Sequence, residues 1–447
     1  MENGFPELGV HFPRFLLPDK DKVDLKKWAV VACDQYTSEE DYWKRVEEFV
    51  GDSPSTLRLT FPEVYLEKGK DGVITEGIFA SMKNYEARGI LKETEKNGAI
   101  LVERRLRTGQ VRRGLMLALD LEKYSFKEGS QSLIRATEKT IEARIPPRLT
   151  VRRNARIEIP HIIVLIDDAP HRDGGRDLIT SLAEDFCAQP PLYDTELMED
   201  SGGVKGFFIH EEEALNKIGI HLSALCEKFT EPKPALLFAV GDGNHSLATA
   251  KALWEELKVQ GTTEEHPSAR YALVEVQNCH DPSLEFEPIN RLIFGSAQSI
   301  LSDLRDWFES SGQGPVLISG EDDGLVLLSA GQEGRLISYV FRGKKGTIEI
   351  KNAKKILPVA SMTDFLDHWL TKNVSARIDY VHETTAIDRF CTEQNSANIG
   401  FVFPPMNKSD LFRTVITEGV LPRKTFSMGR SYDKRFYFEA RYIQKYL

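Results

Sequence analysis

Apolar positions along this chain change their period several times, and each change marks an element. Tyr42, Trp43, Val46, Phe49 and Val50 share one helical face, and Thr37 to Glu40 upstream has capping-box spacing, so a helix is expected to begin there. A second helical pattern covers about Ile78 to Leu91. From Ala99 the texture turns strand-like: 100–106, the turn residues Thr108, Gly109 and Gln110, then 114–121 read as a β-hairpin. Further strand-like runs lie at 161–166, 204–209, 236–240 and 271–276, with helical candidates at 177–188 and 211–229 between them. Beyond Gly295 comes a helix through about Phe308, then strands at 324–329, 335–341 and 347–350. Strands mixed with helices predict an α+β (mixed α/β) class. The domains expected are 1–95, an N-terminal α/β extension, 96–295, a core, and 296–447, a C-terminal α+β domain.

The sharpest local feature is an apolar run, Leu236 to Val240, that enters Gly241, Asp242, Gly243, Asn244, His245 and Ser246 and continues as a helix through Ala248, Ala252, Leu253 and Leu257. Unpaired backbone N–H groups at such a helix start favour phosphate or carboxylate. Asp242 could share a metal ion, and His245 adds a donor or a movable proton. An ordinary capped turn, in which the glycines only permit the bend, accounts for the same residues. Neither the dinucleotide fingerprint nor the P-loop spacing is present.

Composition narrows the partners. With 58 Lys and Arg against 68 Asp and Glu, the net charge of -10 argues against a protein whose whole surface is built to bind nucleic acid. Between 131 and 160 the balance reverses locally, with Arg135, Lys139, Arg144, Arg148, Arg152, Arg153 and Arg156 against Glu138, Glu142 and Glu158. Guanidinium groups there suit phosphate oxygens, although a solvated helix face with Glu–Arg pairs explains most of them. The basic and aromatic stretch 421–447 reads more simply as a terminal strand than as a single-strand-binding surface. Five scattered cysteines without C-x-x-C spacing, no leader-like N-terminus and no membrane-length apolar run lead us to expect a cytoplasmic protein.

Gly241 to Ala250 resembles the Asp-Gly-His-His-Arg turn and helix of the domain-of-unknown-function family numbered 1015, which is related in turn to the ParB/sulfiredoxin superfamily with its free-serine kinases. Asp242, Gly243 and His245 match; Asn244 replaces the first His and Ser246 the Arg. The order of other matches agrees. Ala32 to Glu40 resembles the family's Tyr-Asp segment, with Asp34 at the acidic position. Glu138, Lys139 and Thr140, followed by Arg144 and Arg148, resemble its His-Glu-x-Thr and basic segments, with Thr137 in place of the His and Pro147 in place of an Asp. Asp281 to Leu292 resembles its Pro-x-His-Arg segment, with Asn290 for His and Arg291 kept, and 378–383, 400–405 and 419–426, which includes Lys424, resemble its later motifs.

The resemblance implies a ParB/sulfiredoxin-like core and a nucleotide-dependent kinase for a small hydroxyl metabolite, with serine favoured. It implies Glu138 as base, Asp242 and His245 as further catalytic groups, and Gly241, Gly243, Asn244, Ser246, Arg144 and Arg148 at the phosphates. Asp34, Arg291 and Lys424 are expected on the substrate, ATP or ADP with Mg2+ as cofactor, and Asp242 as the metal's ligand. A nucleotide or phosphometabolite sensor without turnover, motivated by the substituted positions, and a phosphoester hydrolase are the alternatives.

Overall fold

The hairpin expected at 100–121 lies in the interior of the main sheet of the computed structural model, which describes residues 3–66, 71–169, 175–227, 235–295, 299–320, 336–393 and 396–444. Ala99–Arg105 and Val111–Asp120 pair antiparallel with Ile100 opposite Met116, and they belong to an 11-stranded sheet. Along its main path the strands run Tyr193–Glu196, Gly203–Ile209, Ala99–Arg105, Val111–Asp120, Tyr271–Asn278, Ile163–Ile166, Phe238–Asp242, Ile134–Ala136 and Tyr124–Ser125.

Both faces of this sheet are covered, and side-chain alternation decides which residue goes where. Leu101, Leu115, Leu117 and Leu119 pack on one face with Leu182, Leu222 and Leu253 from the helices Leu178–Phe186, Glu212–Glu227 and Asn244–Gln260. Ile100, Val102 and Met116 point the other way, into a core with Trp28, Trp43, Val46 and Met82. The chain's end joins that second core: Phe436 and Tyr437 pair with Val31 and Val30, Arg441 pairs with Glu158, and the Trp28 indole donates to the Phe438 carbonyl at 3.0 Å. The mixed α and β class is as expected, and the terminal stretch forms strands.

Two details differ from expectation. The helix Glu40–Val50 has Glu39 as its N-cap and no side-chain cap. Thr37 is drawn into a tight turn instead, in which Glu39 N–H donates to the Tyr36 carbonyl and Tyr36 takes a φ of 53°. The pattern read as helix to Leu91 ends at Ala87; Leu91–Glu93 is a strand against Leu16–Pro18. The strand expected at 324–329 lies outside the described residues, as does Phe229.

By its contacts the chain divides into two compact units, Met1–Leu284 with Arg430–Leu447, and Glu285–Gly429. The second has an antiparallel six-stranded sheet, in the order Val316–Gly320, Lys344–Ile350, Leu336–Phe341, Ile399–Val402, Asn290–Phe294 and Arg377–Val381. Among the described residues no helix is long and apolar enough to cross a membrane.

Candidate phosphate site

Strand Phe238–Asp242 lies between Ile134–Ala136, to which it is parallel, and Ile163–Ile166, to which it is antiparallel. It leaves the sheet through Gly243, whose φ of +79° is a left-handed conformation that L side chains adopt at a cost. A Cβ there would also meet Ile162 Cα at 3.0 Å. Glycine is therefore favoured here, first by its φ and then by the close approach of Ile162. The helix Asn244–Gln260 starts at once, Gly243 serving as its N-cap without any side chain to cap it. Its first N–H groups, which have no partner within a helix, face the end of the strand.

Asp242 is engaged at both oxygens. Oδ1 accepts from Gly243 N–H at 3.0 Å, and Oδ2 accepts from the Lys434 ammonium at 3.1 Å. Lys434 is buried and comes from the terminal segment that pairs with Val30–Val31, so the chain's end supplies the cation beside the turn. Sequence reading had placed this lysine in a basic run without a role. Its signal is faint: one Lys among several, 192 residues in sequence from its partner.

His245 accepts from the Ile141 N–H through Nε2 at 3.2 Å. Burial first, then the charges of Arg148 and Arg144, lower its pKa to about 4 against the opposing pull of Asp34. His245 is thus a neutral imidazole at physiological pH, with its proton on Nδ1. Of the two expected behaviours, donor or movable proton, this geometry leaves Nδ1–H to donate while Nε2 is already accepting.

Around this turn the basic residues divide. Arg144 is exposed, and Arg148 donates to the Arg144 carbonyl at 3.0 Å and pairs with Glu63. Both act on His245 electrostatically, so both lie beside the turn. Arg135 is spent on the Ser132 and Ala235 carbonyls, Arg152 on Glu158, and Arg153 on Glu256. The terminal Arg435 and Arg441 are likewise buried in ion pairs, with Glu275 and Glu439 and with Glu158.

Asp34 approaches from the N-terminal side. Its Oδ1 accepts from Gln35 Nε2 at 3.0 Å and its Oδ2 lies 3.8 Å from His161 Nε2. Burial raises its pKa, but His161, the Gln35 hydrogen bond and Lys434 together outweigh burial and hold it below the usual range. His161 in turn bonds Tyr437 Oη through Nδ1 at 2.8 Å and reaches Ser246 Oγ through Nε2 at 3.4 Å. Asp34, His161, Ser246, Lys434 and Asp242 therefore form one polar cluster. Asn244, the first residue of the helix, has a buried Oδ1 with no hydrogen-bond partner among the described residues.

Glu138 is half-buried, two residues beyond Ala136, the register partner of Val240; Asp242 is two residues beyond Val240. Both carboxylates thus leave adjoining parallel strands at the same end. Thr137, between them, is buried and donates to the Val240 carbonyl at 2.5 Å, which fixes the strand ends. Arg291 and Lys424 belong to the other unit. There Arg291 is buried, donates to the Ile289 carbonyl at 2.6 Å and stacks over Tyr380, while Lys424 is exposed with a φ of 58°.

The family described as protein of unknown function, DUF1015, matches residues 15–372. That span holds Asp34, Glu138 and the whole Gly241 turn, and stops before Lys424 and Lys434. No curated protein matches the sequence. Solved structures similar to it include a free serine kinase mutant in complex with AMP, at 9% identity and a TM-score of 0.39, covering 72% of this chain and 90% of that one. Others are a conserved hypothetical protein from Pyrococcus furiosus, at 10% identity and 0.35, covering 74% and 95%, and a C-terminally truncated SbnI from Staphylococcus aureus, at 10% and 0.36, covering 71% and 83%.

Proposed function

This chain belongs to the DUF1015 family, and we propose that it is a nucleotide-dependent phosphotransferase acting on a small hydroxyl metabolite, with serine or a related amino acid as the first acceptor to try. The observation that carries the reading is the uncapped helix start at Gly243, flanked by Lys434 and by Arg144 and Arg148. Backbone N–H groups, an ammonium and guanidiniums are the donors that suit a phosphate chain. Neutral His245 adds a donor without adding charge.

Glu138 takes the acceptor's hydroxyl proton as the acceptor oxygen bonds to phosphorus, and the bridging P–O bond breaks toward the nucleotide. Lys434 and the arginines hold the charge of the transferring group, and Asp242 orients Lys434. Mg2+ bound with the nucleotide would neutralise phosphate charge. Oxygen donors suit that ion, and Asp34 and Asp242, both under the influence of Lys434, are the carboxylates to hold it.

Phosphorus NMR on the full chain with ATP or ADP, Mg2+ and a panel of hydroxyl amino acids tests the proposal. A phosphorylated acceptor is expected. Phosphate release without an acceptor would make the protein a hydrolase. Binding without transfer would make it a sensor, a reading favoured by the prior engagement of both Asp242 oxygens and of Arg148.

A further inference from the structure

A second chemical cluster lies at the opposite end of the strand that pairs with the phosphate turn. Ile163–Ile166 and Tyr271–Asn278 run parallel with Ile166 beside Asn278, so the next residues, Asp167 and Cys279, emerge side by side. Asp242 pairs with Ile163 at the other end, which at about 3.3 Å per residue sets the two places roughly 13 Å apart. The strand ends are held firmly: Cys279 N–H donates to the Ile166 carbonyl at 3.0 Å, Asn278 Nδ2 donates to the Asp168 carbonyl at 2.9 Å, and His280 N–H donates to Asn278 Oδ1 at 3.1 Å.

On this frame three different donor atoms converge. His280 Nε2 lies 2.6 Å from Asp167 Oδ1 and Cys279 Sγ 3.8 Å from the same oxygen, and all three ligand atoms lie within 4.8 Å of one another. Cys279 is fully buried, whereas the side chains of His280 and Asp167 keep 16% and 17% of their exposure. Around a tetrahedral Zn2+ with bonds of about 2.0–2.3 Å, neighbouring ligand atoms sit roughly 3.5 Å apart, within the range of spacings found here.

We propose that Asp167, Cys279 and His280 form a divalent transition-metal site, with Zn2+ as the best match to one sulfur, one nitrogen and one oxygen donor. The hydrogen bonds now centred on Asp167 Oδ1 mark where the ion goes: it takes the place of the thiol proton and of the proton between imidazole and carboxylate. Cys279 binds as thiolate and releases its proton to solvent, and His280 binds through the Nε2 lone pair with its proton on Nδ1. Thiolate and carboxylate then balance the ion's charge. Three protein ligands leave the fourth tetrahedral position to water, the arrangement of a reactive rather than a purely structural zinc. Ligands on two adjoining strand ends differ in kind from the phosphate turn, and the site does not depend on the phosphotransferase reading.

Titration of the full-length protein with Co2+ tests this, because a cobalt–thiolate bond has its own near-ultraviolet charge-transfer absorption. One equivalent is expected to bind with that band, and Zn2+ is expected to displace it. Cys279→Ser should abolish the band. Asp167→Asn and His280→Gln, which leave the thiol in place, should each weaken binding by more than about 100-fold, beyond the 10- to 100-fold typical of outer partners of a metal site. Circular dichroism checks that the variants fold; should Cys279→Ser fail to fold, the other two decide. Absence of the thiolate band in the wild-type protein, or unchanged Co2+ affinity in Asp167→Asn and His280→Gln, would overturn the proposal.

Discussion

Lys434→Met isolates the contribution of the chain's end to the phosphate turn. The Lys434 ammonium is 3.1 Å from Asp242 Oδ2, and the two side chains keep only 10% and 22% of their exposure. At an effective dielectric of 20 the bare attraction is about 5 kcal/mol, most of it offset by desolvation of the two ions. Breaking a fully buried pair costs about 3–5 kcal/mol; here Asp242 stays partly solvated and keeps its bond from Gly243 N–H, so we expect about 2–3 kcal/mol. Asp242→Asn should cost a similar amount by leaving the ammonium without its carboxylate. The double variant leaves neither charge stranded, and the coupling in the cycle should be about 1–3 kcal/mol. Because two compact units blur a single unfolding transition, hydrogen exchange of peptides from the helix Asn244–Gln260 is the suitable measure of stability. Additivity within about 0.5 kcal/mol would refute the pair as an energetic unit. Nucleotide affinity separates the roles further. Lys434→Met should weaken binding by roughly 10-fold or more, about 1.4 kcal/mol, whereas Asp242→Asn should weaken it more in the presence of Mg2+ than in its absence. Equal loss in both variants with and without Mg2+ would show that Asp242 does nothing beyond holding the lysine.

Glu138→Gln should retain nucleotide binding and lose phosphoryl transfer, read by phosphorus NMR; unaltered transfer removes the residue from the mechanism. Gly243→Ala should destabilise the first unit by at least about 1–2 kcal/mol through its positive φ, with the contact at Ile162 adding to this, and thermal unfolding measures it. His245 and His11 are both held to about 4, first by burial, with Arg148 and Arg144 acting on one and Arg441 on the other. Their folded-state values lie below the unfolded value of about 6.5, so the stability they contribute is complete above that pH and falls as pH drops from 6.5 toward 4. Urea midpoints across that window should decline, and His245→Gln should make the decline shallower. Arg441→Leu leaves the buried Glu158 with Arg152 and the Leu273 N–H at 2.8 Å, and should cost about 3 kcal/mol.

Much of the fold was legible because its strongest signals are local. The hairpin at 99–120 announces itself by alternation around a Thr-Gly-Gln turn, and its two faces separate into Leu101 and Leu115 on one side and Ile100 and Met116 on the other, as period two requires. The capping box at Thr37 failed for a reason that local spacing cannot carry. Ala32 N–H is bound to the Arg435 carbonyl, and the chain must turn sharply after this pairing, which consumes Thr37 before the helix begins. Likewise the helical period through Leu91 gives way at Gly89, whose φ of +59° ends the turn and releases Leu91 to pair with Pro18.

The site divides along the same line. Asp242, Gly243 and His245 sit in one contiguous segment, and their geometry follows from a strand entering a helix through a left-handed glycine. The groups that set their chemistry come from far away in sequence. Lys434 and Tyr437 arrive on the terminal strand, Asp34 and Cys33 follow Val30–Val31, and His161 precedes the neighbouring strand. Pairing Phe436–Tyr437 with Val30–Val31 is what assembles them, and that pairing has no local signature: Phe436 and Tyr437 read as an ordinary terminal strand whichever edge they join. The same pairing draws three of the terminal basic residues inward. Lys434, Arg435 and Arg441 each enter the interior opposite a carboxylate, Asp242, Glu275 and Glu158, so the positive charge of the tail is used to neutralise acidic groups at and around the sheet. Removing the tail from Arg430 onward should therefore do more than trim a strand. It would leave those three carboxylates short of their cations and strip the turn of its lysine, so both stability of the first unit and nucleotide affinity should fall together, whereas Lys434→Met alone should lower affinity at a smaller cost in stability.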